Sequence, residues 1–149
     1  MNDPFYEFTS LNNTTRFDFL SIGKREIHKA VIYSQSADPQ IFFLSLANVS
    51  QEDLLDFVTT SNNGDLKVVL ATVVQTLITF LDIHPTVMVA FTGNTPSRSR
   101  LYNILISQEL DQVSANFIIF GIKGDRIELF TRNSCYDSFL ISRKNVNID

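Results

Sequence analysis

The sequence predicts an α+β fold: a single mixed, mainly antiparallel sheet with two long helices, in the order β-β-β(-β)-α-β-α-β-β-β. Three observations predict it. Runs rich in β-branched and aromatic residues, separated by short Gly-containing turns, occupy both ends of the chain, as antiparallel hairpins do. Between them, from Leu66 toward Pro85, apolar residues recur with a helical period. After that stretch, an apolar run, a Gly-Asn turn and a Thr-Pro pair read as a strand leading into a newly capped helix.

The elements follow in order. FDFLSIG (17–23) and REIHKAVIYS (25–34) read as two strands joined tightly through Ser21–Lys24. SQSADPQ (34–40) is polar, contains a proline and reads as a loop. IFFLSLA (41–47) is a nearly continuous apolar run, the pattern of a strand covered on both faces. Ser50 or Asn48 can cap a short turn before LDFVTT, which reads as a further strand. Ser61, Asn62, Asn63, Gly64 and Asp65 then supply the polar residues that start helices.

At about 100° per residue, Leu66, Val69, Leu70, Val73, Val74, Leu77, Phe80 and Leu81 share one broad face of the first helix. Gln75, Thr79 and Asp82 lie opposite and Lys67 on the flank; Val68 and Ile78 intrude on the polar side, so more than one side is expected to be covered. Pro85 disfavours helix in the residue before it and marks the end. TVMVAFT (86–92) reads as a central strand, Gly93 and Asn94 turn the chain, and Thr95 and Pro96 cap and open the second helix. Leu101, Ile104 and Leu105 form that helix's inward face, and it fades between Gln108 and Asp111. FIIFGIK (117–123), a turn at Gly124 and Asp125, RIELF (126–130) and YDSFLIS (136–142) close the fold, with a polar tail after them.

The 149 residues suit one domain spanning 1–149, with no internal repeat or linker. An apolar fraction of 44% against 19% charged residues excludes global disorder. The 13 Phe residues have no polar tip to satisfy and are expected to fill core. A net charge of −4 argues against a generic nucleic-acid coat, which needs excess Lys and Arg. Cys135 is the only cysteine, so neither an intrachain disulfide nor a CxxC zinc site can form. The start MNDPFYEF has no basic and apolar leader, and the longest apolar stretch is interrupted by Thr72, Gln75, Thr76 and Thr79. The expectation is a cytoplasmic protein without a membrane segment.

The candidate site lies at the start of the second helix. Free N–H groups of a first helical turn and the helix dipole favour anions, and this turn also carries Thr95, Ser97, Arg98 and Arg100. Two cations beside the positive end of a helix dipole are unfavourable unless something negative compensates. Hydroxyls and guanidinium forks are the groups that hold phosphate or carboxylate oxygens. The candidate ligand is therefore a phosphate-bearing small molecule, a nucleotide or an RNA end. The competing and blander reading is a structural salt bridge from Arg98 to the protein's own acid, with Arg100 solvated. The motif is neither a P-loop nor a GxGxxG fingerprint. If both helices start along one sheet edge, Asn62, Asn63, Asp65 and Lys67 become neighbours of the site, with Tyr102 beside it. The capping chemistry of SNNGD is sufficient explanation for most of those residues. Asp65 is also a candidate partner for either arginine.

Elsewhere the chemistry is thinner. Asp82 and His84 are two metal-ligand types without a third, so no metal site and no cofactor are expected. His28 lies mid-strand and reads as a packing residue. Cys135 has no adjacent His and reads as inert. Arg126 and Glu128 alternate with Ile127 and Leu129, the pattern of a solvated strand face. Whether any reaction is catalysed is not decided by these residues.

The stretches FDFLSIGKREIHKAVIYS, TTSNNGDLKVVLATV, FTGNTPSRSRLY and YDSFLISRK resemble a family of small uncharacterised bacterial proteins, classed as a domain of unknown function. The resemblance falls on Asn62, Asn63, Gly64, Asp65, Gly93, Thr95, Arg98, Arg100, Leu101 and Tyr102. It implies a shared fold and no assigned activity. By analogy, some small orphan domains of this kind belong to toxin–antitoxin or phage-defence modules. Two functions therefore stand side by side: an anion-binding domain, and a non-catalytic protein-interaction module whose arginines are structural.

Overall fold

The computed structural model describes residues 4–57, 62–92, 99–100, 102–104, 106–108, 116–131 and 134–144. Two compact units are present, Met1–Ser34 with Phe43–Ile83, and Gln35–Phe42 with His84–Asp149. Among the described residues are nine strands, one long helix and a second helical segment, which places the protein in the α+β class.

In the first unit the strands β1 (Phe8–Leu11), β2 (Arg16–Ile22), β3 (Glu26–Gln35) and β4 (Ile41–Val49) lie side by side in chain order, and β5 (Leu55–Asp56) pairs with β4. β1–β2, β2–β3 and β4–β5 are antiparallel. The register sets Phe17 against Val31, Phe19 against Lys29 and Ser21 against Ile27 on one face of the β2–β3 pair. Arg16, Asp18 and Leu20 take the other face, because side chains alternate along a strand. Phe17 and Val31 are fully buried.

Helix α1 (Leu66–Ile83) supplies the other half of this core. Val69, Val73, Val74, Leu77, Phe80 and Leu81 are buried, as the apolar period requires. Phe80 stacks on Tyr33 with centroids 4.1 Å apart, and Tyr33 meets Phe17 edge-on at 5.8 Å. Two buried helix positions are threonines, Thr72 and Thr76, both fully enclosed. Thr72 donates to the Val68 carbonyl (2.7 Å) and accepts from the Tyr6 N–H (2.9 Å). Thr76 donates to the Val73 carbonyl (2.8 Å) and pairs with the Tyr33 hydroxyl (3.0 Å). Complete hydrogen bonding is what makes a buried hydroxyl tolerable. Burial pushes the Tyr33 phenol far above its ordinary pKa. By length and composition α1 would also serve as a membrane span, yet about half of it is buried inside the protein.

The strand β1 was not apparent from the sequence. It joins β2 through Asn12, Asn13 and Thr14, all at positive φ (52, 57 and 68°), so the turn carries no glycine signal. The run 41–47 also departs from expectation: Leu44 and Ala47 are buried, but Phe43 is half exposed and is not covered on both faces. The turn at Ser50 is as read, with its hydroxyl accepting from the N–H groups of Glu52 and Leu54.

In the second unit β6 (Met88–Thr92), β7 (Phe117–Lys123), β8 (Arg126–Leu129) and β9 (Ser138–Arg143) run in the order β6-β9-β7-β8. β6–β9, β7–β9 and β7–β8 are antiparallel. The last strand in sequence is thus inserted between two earlier ones. Phe91, Phe139, Phe130 and Tyr136 form a continuous set of ring contacts, with Phe91 and Phe139 stacked at 5.2 Å. The described residues of 99–108 are helical.

Candidate functional site

The start of the second helical segment is described only in part. Thr95, Ser97 and Arg98 lie outside the described residues, as do Gly93, Asn94 and Pro96. Arg100 is helical and exposed. Among the described residues it makes no ion pair, so its charge is not cancelled by any described acid. Tyr102 is half-buried, its ring edge-on to Phe91 at 5.4 Å.

Around this segment the second unit presents a polar seam. Asn103 donates to the carbonyls of Ser99 (2.8 Å) and Tyr136 (3.1 Å) and accepts from the Tyr136 N–H (3.2 Å). One side chain therefore ties the helical segment to the chain leading into β9. At the end of β6, Thr92 donates to the Asp137 carbonyl (2.8 Å) and pairs with the Ser138 hydroxyl. Tyr136 is 2% exposed, and its ring lies where a Cβ on Gly121 would stand 2.3 Å from Cδ1. Asn103 has no signature in the sequence, because a lone Asn on a helix carries no pattern until its partner, 33 residues away, is known.

Within SNNGD, Ser61 lies outside the described residues, and Asn62 to Asp65 have a clear structural task in the first unit. Asn62 (φ 48°) and Gly64 (φ 83°) bend the chain through left-handed conformations. That bend drives Asn63 under the β2–β3 turn, where it is 3% exposed. Its amide oxygen accepts from the Arg25 N–H (2.9 Å), and its amide nitrogen donates to the Arg25 carbonyl (2.8 Å) and the Ser21 hydroxyl (3.0 Å). Its backbone carbonyl accepts from the Lys24 N–H (2.8 Å). Gly23 lets the two backbones meet this closely.

Asp65 then starts α1, its carbonyl receiving the Val69 N–H at 3.0 Å. Its carboxylate oxygen Oδ2 accepts from both the Ser21 hydroxyl (2.5 Å) and the Tyr6 hydroxyl (2.6 Å). Burial, and the hydrogen bond to Asp65, raise the Tyr6 pKa. Asn63 and Asp65 thus lock the helix start onto the hairpin, while Asn62 and Lys67 are exposed.

A charged cluster on the outer face of β2–β3 was not singled out in the sequence. Arg16 holds Asp18 through two hydrogen bonds, Nε to Oδ1 at 2.7 Å and an Nη to Oδ2 at 2.8 Å, and also reaches Asp53 at 2.9 Å. Nε2 of His28 lies 2.6 Å from Asp18 Oδ2. His28 is therefore an exposed polar partner and not the packing residue its mid-strand position suggested. Burial pushes the Asp18 carboxyl up, but the hydrogen bonds from Arg16 and His28 outweigh it and hold the group below the usual carboxylate range. An ionised Asp18 only accepts, so His28 Nε2 is the donor.

A carboxyl depressed in the folded state stabilises above its unfolded pKa, near 3.9, and that contribution is lost as pH falls through the folded value. Asp18→Asn is expected to cost about 2 kcal/mol at pH 7, the range for hydrogen bonds to charged groups. The gap to wild type is expected to begin shrinking below about pH 4, where the carboxyl of the unfolded chain protonates, and to go on shrinking as pH falls through the lower folded value. Urea unfolding at pH 7 and pH 3 reads both values, and a gap independent of pH would contradict the ion pairing.

No group of three or more His, Cys, Asp or Glu residues suited to a metal occurs among the described residues. Cys135 is exposed. The geometry defines a small α+β protein with a tightly latched helix start in one unit and an exposed arginine on a helical segment in the other. The chain belongs to the family of unknown function DUF6934, whose model matches residues 2–144. No curated protein and no solved structure matches it.

Proposed function

We propose that the protein is a cytoplasmic anion-binding domain that takes a phosphate-bearing small molecule, a nucleotide or an RNA end. Thr95, Ser97, Arg98 and Arg100 are the ligand-binding residues in this reading. The observation that carries it is Arg100. The side chain is exposed and makes no ion pair among the described residues. A cation on a first helical turn opposes the helix dipole, and an incoming anion relieves that opposition while meeting free N–H groups. Tyr102 stands next in the chain as a half-buried neighbour. Asn63 and Asp65 are outside the proposal, since their side chains are already engaged within the first unit.

Ligand that binds only the folded protein raises its melting temperature by mass action. Inorganic phosphate and a nucleotide panel are therefore expected to raise the Tm of the wild type. Arg98→Ala and Arg100→Ala are each expected to abolish the rise, and Arg100→Ala to leave the ligand-free Tm within about 2 °C, as for a surface substitution. A flat wild-type response across the whole panel would remove the proposal.

A second reading, a protein-interaction module, is favoured by a different observation: all four residues of β8 are exposed, including Ile127 and Leu129. A setting in a toxin–antitoxin or phage-defence module suits either reading and rests on analogy with small orphan domains.

A further inference from the structure

β8 ends the strand series of the second unit, and no described strand pairs with its far edge. An unpaired edge offers a row of N–H and C=O groups to another strand. Which residues offer them follows from the register. Leu129 faces Phe120 and Ile127 faces Ile122 across β7–β8, and the Phe130 N–H bonds the Ile119 carbonyl. Backbone bonding direction alternates along an antiparallel strand. Arg126 and Glu128 therefore bond toward β7, while Ile127 and Leu129 turn their N–H and C=O groups outward.

The side chains on this edge are also unusual. Ile127 and Leu129 are 62% and 61% exposed on one face of the strand. Arg126 and Glu128 share the other face, 3.5 Å apart, and Glu128 accepts a 2.7 Å hydrogen bond from the buried Tyr136 hydroxyl. The expected solvated charges are present, but the alternating apolar residues are not covered by the protein.

We propose that β8 is a homodimerisation edge, and that two copies pair through it antiparallel about a two-fold axis centred on Ile127. Among registers centred on Arg126, Ile127 or Glu128, the charges select this one. Pairing centred between two residues would set an outward-bonding residue against an inward-bonding one and lose the hydrogen bonds. Centring on Glu128 puts Glu128 against Glu128 of the second copy, and centring on Arg126 does the same for arginine. Like charges directly opposite destabilise a strand pair. Centring on Ile127 places Arg126 opposite Glu128 of the second copy, twice by symmetry. In that register the two Ile127 residues exchange a pair of backbone hydrogen bonds, and the Ile127–Leu129 apolar strip runs on from one copy to the other. A second copy of this chain is the occupant because one strand carries both halves of the charge pattern in self-complementary order.

The pairing is independent of the anion reading and gives the interaction reading a definite surface. The interface is short and belongs to the weak, transient class, so sedimentation is read over a concentration series reaching about 1 mM, the weak end of useful affinity. Wild type is expected to reach twice the monomer mass. Arg126→Glu and Glu128→Arg are each expected to stay monomeric. Mixing those two variants is expected to restore a dimer, because every facing pair is then opposite in sign, and the double variant is expected to dimerise alone. Ile127→Pro removes an outward N–H that β7 does not use, so it is expected to be monomeric with a near-wild-type Tm, which keeps the test valid if Glu128→Arg fails to fold. A monomeric wild type at the top of the series overturns the proposal. So does a dimer that survives Arg126→Glu or Ile127→Pro, or two folded charge variants that do not associate. The phosphate melting response, read on the same samples, reports separately on Arg98 and Arg100.

Discussion

Gly23→Ala is expected to destabilise the protein by about 4 kcal/mol, a loss at the exceptional end for a single substitution. A Cβ at position 23 would stand 2.0 Å from the backbone oxygen of Asn63 and 2.9 Å from its carbonyl carbon. Carbon and oxygen in contact need well over 3 Å, and the obstructing atoms belong to backbone, which cannot rotate aside. The Asn63 segment must therefore withdraw. Withdrawal breaks the bond from the Lys24 N–H and the three bonds of the Asn63 amide to Arg25 and Ser21. Each net hydrogen bond contributes about 1 kcal/mol, and a buried polar group left unpaired costs more. For a chain of this size the melting midpoint should fall by roughly 10 °C. A midpoint within about 2 °C of wild type would show that the hairpin and Asn63 are not in backbone contact.

The parts of the fold legible from sequence were those governed by a single local period. The Leu66–Ile83 helix is the clearest case: its apolar recurrence indicated most of its buried face, while the cap-type residues before Leu66 and Pro85 after Ile83 marked its ends. Thr72 and Thr76 were hidden from that reading, because their burial depends on partners elsewhere, Tyr6 and Tyr33. β1 was hidden because three of its four residues are exposed and its turn bends without glycine. Before Leu66 the helix start was visible, since Asp65 opens the helix through its carbonyl. The reach of Asn63 to Ser21, 42 residues earlier, was not, because composition carries no information on which hairpin will lie beneath a loop. The same limit applied to surface chemistry. Alternation along β8 correctly separated charged from apolar residues, but period alone does not say which face of an edge strand the protein covers. Arg16, Asp18 and His28 sit on two strands and become a cluster only once the β2–β3 register is set. Arg100 was expected to lie near solvent from its place on the helical wheel, and it is exposed.

Phe80→Ala is expected to be comparably severe, about 4 kcal/mol, by a different route. Phe80 is fully buried, and its ring lies flat on Tyr33 with an interplanar angle of 5°. From there ring contacts continue through Phe17 to Phe8, so the residue links α1 to the first two strands of its unit. Removing the ring loses the transfer free energy of its carbons and leaves a cavity, since close-packed neighbours relax only in part. It also frees Tyr33, whose hydroxyl bond to Thr76 is the sole hydrogen bond described for that buried phenol. Two controls separate packing from mere loss of a phenylalanine. Phe80→Leu keeps most of the volume and should cost under about 1.5 kcal/mol. Phe43→Ala removes a ring that is 50% exposed and should cost well under half as much as Phe80→Ala, because less apolar surface is returned to water. Chemical denaturation of the three variants should therefore rank Phe80→Ala far below the other two. Equal losses at positions 80 and 43 would mean that the stacked pair does not organise the core, and that the burial of α1 against Tyr33 and Phe17 is wrong.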